Sequence, residues 1–233
     1  MITKLISRAL IPMHEKLGLL IGLNSSDTTA KFLSKLLSRG GTVIDVGANR
    51  GDFASLCRQT CMQVKLVLIE PQIEMQPLLE KIMKEGDLFF PIALSNEQYR
   101  GYIDRKNIGD RKASLSEQST ELSIEVSTLD HIIADYGLKK VDLVKIDTEG
   151  NDFQVILGAQ KSIQESVIDK ILFEVNFKTL VRGELPQDIE SWLRERGFRH
   201  FYRTTKWFGF IPLRKLENYR VENQNILCTK EPL

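Results

Sequence analysis

The chain has 233 residues, of which 42% are hydrophobic and 27% are charged. This composition is that of an ordinary globular protein, and it excludes a disordered or fibrous chain. The 32 basic and 31 acidic residues nearly cancel, for a formal charge of +1. Because such a balance gives no bulk attraction to nucleic acid or to an anionic membrane, we expect no nucleic-acid partner.

Residues 1–39 form a leader with a helical pattern, which ends at Gly40-Gly41. Its longest apolar run, Leu17–Leu23, has seven residues, whereas about 18 are needed to cross a bilayer. The polar cluster Asn24–Asp27 follows without the small-residue pattern of a cleavage site. We therefore expect the leader to pack on the core as a helix, with membrane contact through residues 1–23 as the alternative.

The three cysteines, Cys57, Cys61 and Cys228, are an odd number, and none belongs to a Cys-x-x-Cys pair. This usage favours a reduced protein and predicts a cytoplasmic location. Cys57 and Cys61 are four residues apart in a predicted helix. Their spacing is more typical of a core-facing stripe than of a metal site.

Residues 40–233 alternate between strand-like and helix-like segments. Apolar, strand-like runs occur at Thr42–Val46, Val64–Ile69, Leu88–Leu94, Val141–Ile146 and Lys170–Val175. Helical patterns follow at Asp52–Cys61, Ile73–Lys84, Thr128–Gly137, Phe153–Ser166 and Pro186–Arg196. The alternation predicts one α/β domain with a doubly wound parallel sheet.

Two segments depart from this alternation. Residues 99–127 are polar and end in alternating apolar residues, which predicts an inserted hairpin. The late runs Phe198–Thr204 and Asn225–Thr229 are predicted to pair as an antiparallel edge. The aromatic and basic stretch Phe201–Phe210 is interpreted as an edge strand with core-facing aromatic rings, with a sugar-binding or membrane-binding face as the alternative.

A glycine-bearing turn, Gly47-Ala-Asn-Arg-Gly51, joins the first predicted strand to the first predicted helix. Such a turn lets backbone N–H groups approach a ligand at the positive end of a helix. Glu70 ends the second strand, 25 residues after Asp45, so it is predicted to lie beside this turn. A carboxylate in this place can accept hydrogen bonds from a ribose diol, as in nucleoside-binding α/β folds.

A third cluster lies at the end of the fourth strand. Lys145 is inside an otherwise apolar strand, and a buried ammonium needs carboxylate partners. Asp147 and Glu149 follow at the carboxyl end, where open α/β sheets bind ligands. If the fifth strand is the neighbour, Glu174 and Asn176 add polar groups at the same edge. A structural network of ion pairs is the alternative interpretation.

Six segments, taken in order, resemble the FkbM family of S-adenosylmethionine-dependent methyltransferases. They are VIDVGANRGDF, LIEP, PIALSN, STLDHI, VDLVKIDTEGNDFQVILGA and ILFEVN. The resemblance covers residues 40–180 and implies a class I methyltransferase (Rossmann-like) sheet, mostly parallel, with one antiparallel C-terminal strand. It also implies that S-adenosylmethionine is the cofactor.

The resemblance assigns roles to residues of the motifs. Asp45, Gly47, Asn49 and Gly51 hold the amino-acid end of the cofactor, Glu70 binds its ribose, and Ala93, Leu94 and Ser95 border its adenine. Asp147 is the acid closest to the sulfonium and the acceptor. Two departures are Asn49, in place of the second glycine, and Asn151-Asp152, in place of an Ala-Glu pair. The second departure leaves open which acid faces the acceptor.

The implied chemistry is methyl transfer to an oxygen nucleophile, which needs a general base. Asp147 is the first candidate, Glu149 the second and His131 the third, and Lys145 completes the predicted catalytic group. Oxygen ligands around Asp147 suit a divalent metal, but the spacing does not require one. The expected acceptor is a hydroxyl of a glycan, glycolipid or small natural product, with specificity loops at 99–127 and in the leader.

Three other functions stay open. A catalytically silent methyltransferase-like binding module has the same motifs. A nicotinamide-dependent oxidoreductase shares the strand-end acid, although the Gly-x-x-x-Gly spacing disfavours it. A membrane-associated adaptor would act through residues 1–23. The acceptor's identity and the oligomeric state are not encoded in any motif.

Overall fold

The computed structural model describes residues 25–110, 113–116, 123–181, 183–205, 209–213, 216 and 224–233. The predictions for residues 1–23 lie outside this range. Within it, no helix is both long enough and apolar enough to cross a membrane. The helices are α1 (Ser25–Leu36), α2 (Asp52–Thr60), α3 (Gln76–Leu79), α4 (Leu129–Asp135), α5 (Asp152–Leu157), α6 (Gln160–Gln164), α7 (Phe177–Val181) and α8 (Pro186–Glu195).

The strands of the described residues form two sheets. They are β1 (Gly41–Val46), β2 (Val64–Ile69), β3 (Leu88–Phe90), β4 (Ala93–Leu94), β5 (Tyr99–Asp104), β6 (Ser114–Ser116), β7 (Ser123–Ser127), β8 (Leu143–Ile146), β9 (Lys170–Val175), β10 (His200–Thr205), β11 (Gly209–Leu213) and β12 (Gln224–Thr229). The main sheet has the order β11-β10-β12-β9-β8-β1-β2-β3, and the small sheet has the order β4-β7-β5-β6.

The main sheet is parallel from β3 to β9 and antiparallel beyond it. β12 runs antiparallel to β9, β10 antiparallel to β12, and β11 antiparallel to β10. This is the doubly wound sheet predicted for a class I methyltransferase. The predicted antiparallel strand is β12, and β11 adds a second one. The strand order reverses at β1 and β8, which is where such sheets bind ligands.

Two predicted elements are divided in the structure. The run Leu88–Leu94 becomes β3 in the main sheet and β4 in the small sheet, because Pro91 between them has no N–H for a ladder. The predicted helix Phe153–Ser166 becomes α5 and α6, which are separated at Gly158. A Cβ on Gly158 would overlap the carbonyl oxygen of Ser95, so the chain turns at this close contact.

The core lies on both faces of the main sheet. On one face α1 and α2 cover it through Leu33, Leu37 and Cys57, which are fully buried. The prediction that Cys57 and Cys61 face the core is confirmed, and all three cysteines are free, buried thiols. The other face carries α4, α5, α6 and α8. The small sheet extends over the carboxyl ends of β1 and β2, so it positions the 99–127 insertion above the ligand edge.

Candidate active site

A cavity of about 510 Å³ opens at the carboxyl ends of β1, β2, β8 and β9. One part, here called the β2 side, is lined by Gly47, Asn49, Glu70, Gln72 and Leu94. The opposite part, here called the β9 side, is lined by Phe32, Leu172, Glu174, Phe210 and Asn225. Lys145, Asp147 and Glu149 lie between them at the end of β8. The volume is in the range of small-molecule and cofactor sites.

The turn after β1 is shaped by its contact with β8. Gly47 has a φ of 77°, and a Cβ there would overlap the carbonyl oxygen of Asp147. Gly51, predicted to bind the cofactor, does not line the cavity, and a Cβ on it would overlap the Ile82 side chain. Gly47 therefore brings β1 against the β8 loop, whereas Gly51 packs α2 against the chain that follows α3.

Asn49 occupies a position that suits glycine, with a φ of 45°. Asparagine tolerates this left-handed conformation better than most residues, which explains how it replaces the family's second glycine. Its N–H donates to Glu70 Oε2 at 2.8 Å. Its side-chain Oδ1 is buried in the cavity wall with no hydrogen-bond donor among the described residues. That oxygen is therefore an unsatisfied acceptor in the wall.

Glu70 is 3% exposed at the end of β2. Its Oε1 accepts from the N–H of Gln72 at 2.9 Å, and its Oε2 accepts from Asn49. Burial raises the pKa of Glu70, and the two N–H donors oppose the increase. The side chain of Gln72 also acts on this carboxylate as a donor. Because a carboxylate has about four acceptor positions, one remains for a ligand. Glu70 thus stabilises the turn through the N–H of Asn49 and is also a candidate ligand-binding acid.

The insertion is attached to the β2 side through Gln72, which the sequence analysis did not identify. Gln72 Oε1 accepts from the N–H of Gly109 at 2.9 Å, and Nε2 donates to the Asp110 carbonyl oxygen at 3.2 Å. Close by, the Arg105 guanidinium donates two hydrogen bonds to the Glu74 carboxylate, at 2.8 and 3.1 Å. These contacts hold the apolar residues of β5, β6 and β7 over the cavity. Those that line it are Ile103, Leu115 and Ile124.

The predicted adenine-bordering segment forms an apolar wall of the β2 side. Ala93 and Leu94 line the cavity, whereas Ser95 is buried behind them. The side-chain amide of Asn151 donates to the Leu94 carbonyl oxygen at 2.9 Å. Asn151 therefore ties the β8 loop to this wall, a contact that an alanine in its place could not make.

Lys145 is the centre of a charged group at the junction of β1 and β8. The register pairs it with Asp45, and its Nζ lies 3.1 Å from Asp45 Oδ1 and 3.4 Å from Asp147 Oδ2. It also donates to the Gly47 carbonyl oxygen at 3.2 Å. Burial alone would lower the pKa of Lys145, but the two carboxylates outweigh it and raise the pKa to about 12. Lys145 is therefore charged and forms an ion pair with Asp45.

Asp45 itself does not reach the cavity. It is fully buried beneath the turn, with Lys145 as its charged partner. The structure consequently separates the predicted cofactor-binding group: Gly47, Asn49, Glu70, Ala93, Leu94 and Asp147 line the cavity, whereas Asp45, Gly51 and Ser95 support it from behind. Asp45 positions Lys145, and Lys145 positions Asp147.

Asp147 and Glu149 both face the cavity, with side chains 45% and 23% exposed. Glu149 adopts the left-handed conformation, with a φ of 55°, which is a strained state for this residue type. Its Oε2 lies 3.3 Å from Lys178 Nζ. Each of these candidate bases is thus paired with a lysine.

Asp152 answers the question that the sequence left open about the acids after β8. It is 1% exposed and does not line the cavity. Its Oδ2 accepts from the Thr148 hydroxyl at 2.7 Å, and its Oδ1 accepts from the N–H of Glu174 at 2.9 Å. Burial raises the pKa of Asp152 to about 7. Asp152 therefore joins the β8 loop to β9, and it is Asp147 and Glu149 that face the cavity.

The β9 side combines aromatic and polar groups. Phe32 of α1 and Phe210 of β11 are in contact, with ring centroids 4.2 Å apart. Glu174 and Asn225 are opposite each other on β9 and β12. Of these, Glu174 was noted from the sequence, and Phe210 ends the aromatic stretch for which a sugar-binding face was the alternative. Phe32 and Asn225 were not identified, since they depend on helix packing and strand pairing. His131, the third candidate base, lies on α4 with Asp135 at 3.2 Å and does not line the cavity.

The cavity wall has an excess of acidic residues. Among the described residues, six acidic side chains line it (Asp52, Glu70, Asp110, Asp147, Glu149 and Glu174), against two basic ones, Arg50 and Lys145. In the part of the chain that the structure describes, no group of three or more His, Cys, Asp or Glu residues is arranged to hold a metal ion. The wall therefore favours a ligand that carries positive charge.

Comparisons with known proteins agree with the motifs. The model of the methyltransferase FkbM domain matches residues 45–200, more than half of the chain. No curated protein sequence matches this chain.

Solved structures of similar shape include three methyltransferases. TrmK of M. capricolum, in complex with S-adenosyl-homocysteine, is 11% identical over 87% of this chain and 67% of its own, with a TM-score of 0.49. An rRNA methylase from Streptococcus thermophilus is 12% identical over 87% and 93%, with a TM-score of 0.47. Precorrin-6y C5,15-methyltransferase from Geobacter metallireducens GS-15 is 12% identical over 87% of both chains, with a TM-score of 0.45.

Proposed function

The chain belongs to the FkbM methyltransferase family, and we propose that it transfers the methyl group of S-adenosylmethionine to a hydroxyl of a glycan, glycolipid or small natural product. The observation that carries the proposal is the charge of the cavity at the point where the strand order reverses. Of the residues that the structure describes, six acidic and two basic side chains line it. A cofactor with a sulfonium and an ammonium group suits this wall, whereas the diphosphate of a nicotinamide dinucleotide would be repelled.

The residues of the β2 side fit the nucleoside part of such a cofactor. Glu70 has an acceptor position left for a ribose hydroxyl, and the unpartnered Oδ1 of Asn49 lies beside it in the same wall. Ala93 and Leu94 provide an apolar surface for a flat base. When bound, S-adenosylmethionine supplies an activated methyl group. The protein contributes the shape, the charge and the exclusion of water.

The acceptor is expected on the β9 side, beyond the carboxylates of β8. Three features support a neutral, hydroxyl-bearing molecule: the aromatic rings of Phe32 and Phe210, the amide of Asn225 and the acidic wall. A phosphate or carboxylate group would meet Asp147, Glu149 and Glu174 at close range. An alcohol also needs a base within hydrogen-bond reach, and these carboxylates supply the candidates.

The first test is calorimetric titration of the wild type with S-adenosylmethionine, S-adenosylhomocysteine and NAD in parallel. We expect the first two to bind at micromolar concentration and NAD not to bind. Binding of NAD alone would contradict the methyltransferase proposal. Binding of S-adenosylmethionine without turnover on any hydroxyl-bearing acceptor would favour a silent binding module.

The substitution Glu70→Gln tests the placement of the nucleoside. It should weaken binding of both adenosyl ligands by about ten- to a hundredfold, because a hydrogen bond to a charged group contributes about 1.5–3 kcal/mol. The control is Glu97→Gln, the same change at an exposed position, for which we expect wild-type affinity. An effect of Glu70→Gln smaller than twofold would mean that the ribose lies elsewhere.

A further inference from the structure

Three carboxylates at the ends of β8 and β9 face the cavity, and their partners differ. Asp147 lies 3.4 Å from the ammonium of Lys145, and Glu149 lies 3.3 Å from that of Lys178. An acceptor hydroxyl at either carboxylate would have to compete with a lysine for the same oxygen atoms. The pairing therefore disfavours Asp147 and Glu149 as general bases.

Glu174 has a different environment. Among the described residues, its carboxylate is bonded by a neutral donor, the Asn176 side-chain amide, at 2.7 Å to Oε2. It forms no ion pair with any described lysine or arginine. Burial raises the pKa of Glu174. The hydrogen bond from Asn176 opposes this increase, the charges of Asp147 and Glu149 add to it, and Lys145 has the smallest, opposing effect. Of the three acids, Glu174 thus has the surroundings that best suit proton acceptance.

The position of Glu174 is defined by the backbone on both sides. Its own N–H donates to the buried carboxylate of Asp152 at 2.9 Å, which holds the end of β9 against the β8 loop. Across the ladder, the antiparallel register places Asn225 of β12 directly opposite. Side chains opposite each other in such a pair are about 5 Å apart at Cβ, and both line the cavity. A hydroxyl between them would meet a carboxylate and an amide together.

We propose that Glu174 is the general base that takes the proton of the acceptor hydroxyl. This inference rests on the proposed methyl transfer. The acceptor oxygen forms a bond to the methyl carbon while the carbon–sulfur bond breaks, and the electron pair of that bond stays on sulfur. The hydroxyl proton passes to the Glu174 carboxylate and from there to water. Lys145 and Asp147 then position the groups at the end of β8 and balance their charge, and neither takes the proton.

The test does not require a known acceptor. Sinefungin is an analogue of the cofactor in which a carbon that bears an amine replaces the methylated sulfur. Its ammonium group lies where the transferred methyl would be, so a base at the acceptor oxygen should attract it. We expect the wild type to bind sinefungin more tightly than S-adenosylhomocysteine. Glu174→Gln should weaken sinefungin binding by about tenfold and leave S-adenosylhomocysteine within twofold.

The controls separate this assignment from its rivals. Glu195→Gln makes the same change on an exposed side chain and should keep the wild-type preference for sinefungin. In the wild type the preference should also fade as the pH falls and Glu174 becomes protonated, and Glu174→Gln should remove this pH response. If Asp147→Asn or Glu149→Gln removes the preference and Glu174→Gln does not, the assignment is wrong. If neither ligand binds the wild type, the proposed function itself fails.

Discussion

The two sides of the cavity are built by different means. On the β2 side, the acid Glu70 is held by backbone N–H groups, and the residues that line the wall between β1 and β4 are close in sequence. On the β9 side, the wall is assembled from α1, β9, β11 and β12, whose residues are far apart in the chain. There, Glu174 is held by a side-chain amide, and the acids between the two sides are held by lysines. We interpret the side built by backbone contacts as a pocket for a shared cofactor, and the side built by side-chain contacts as a pocket for a particular acceptor.

This difference matches the proposed division of labour. A cofactor shared by many enzymes can be recognised by a turn whose backbone is fixed, since the required geometry is always the same. An acceptor that differs between enzymes has to be recognised by side chains, which substitutions can change without altering the fold. The lysines and carboxylates at the end of β8 connect the two sides.

The largest effect is expected at Gly47, where the two sides meet. Gly47→Ala places a Cβ on the carbonyl oxygen of Asp147, at a φ of 77°. The neighbouring atom belongs to the backbone, so side-chain rotation cannot relieve the overlap. We expect a loss of about 3 kcal/mol or more in the free energy of unfolding, measured by urea denaturation.

Gly86→Ala is the matched control for this experiment. Gly86 has a φ of 90°, and a Cβ there meets nothing within 4 Å. Its substitution should cost only the strain of the left-handed backbone, about 1–2 kcal/mol. Equal losses in the two variants would mean that the contact between the turn and the β8 loop is less tight than the structure indicates.

Much of the fold is predictable because the residue pattern of a buried strand is contained in one short segment of the sequence. β2 and β9 have the predicted bounds, since each is a continuous apolar run between turn residues. The prediction that Leu88–Leu94 forms one strand is wrong. Pro91 marks a break, but which sheet each half joins depends on long-range pairing with β2 and β7.

The same distinction separates the predictable from the unpredictable part of the site. Gly47, Glu70, Lys145 and Asp147 lie in short motifs at strand ends, where the topology gives their location. Residues such as Phe32, Phe210 and Asn225 lie in segments without a motif, and they reach the cavity only through the packing of α1 and the β10–β12 ladder. The β2 side was therefore largely predicted, and the β9 side was not.

The second prediction concerns the charge of Asp152, which joins the β8 loop to β9. Burial raises the pKa of Asp152 to about 7, well above its ordinary value of 3.8. The folded state therefore binds a proton more tightly than the unfolded state, and stability falls as the pH rises from about 4 to 7. Relative to wild type, Asp152→Asn should gain stability over this range and level off above it. Each unit of pKa difference corresponds to about 1.4 kcal/mol, and urea denaturation at a series of pH values measures the effect.

A second substitution sharpens this test. The hydroxyl of Thr148 donates to Asp152 at 2.7 Å and so favours its charged form. Thr148→Val removes this donor, so the pH at which the stability levels off should move upward. If Asp152→Asn differs from wild type by the same amount at every pH, Asp152 does not titrate in this range. In that case the link between the β8 loop and β9 does not depend on the charge of Asp152.

The smallest effect separates the backbone role of Asn49 from its side-chain role. At a φ of 45°, Asn49→Gly should keep the stability within about 0.5 kcal/mol, whereas Asn49→Ala should cost about 1 kcal/mol, because alanine resists the left-handed conformation. Both variants keep the N–H that donates to Glu70, but both lose the buried Oδ1 that has no described donor. If that oxygen serves the cofactor, the affinity for S-adenosylhomocysteine should fall equally in the two variants, despite their different stabilities. A fall in affinity with alanine alone would instead mean that Asn49 acts on the ligand only through the shape of the turn, as the backbone-built β2 side would suggest.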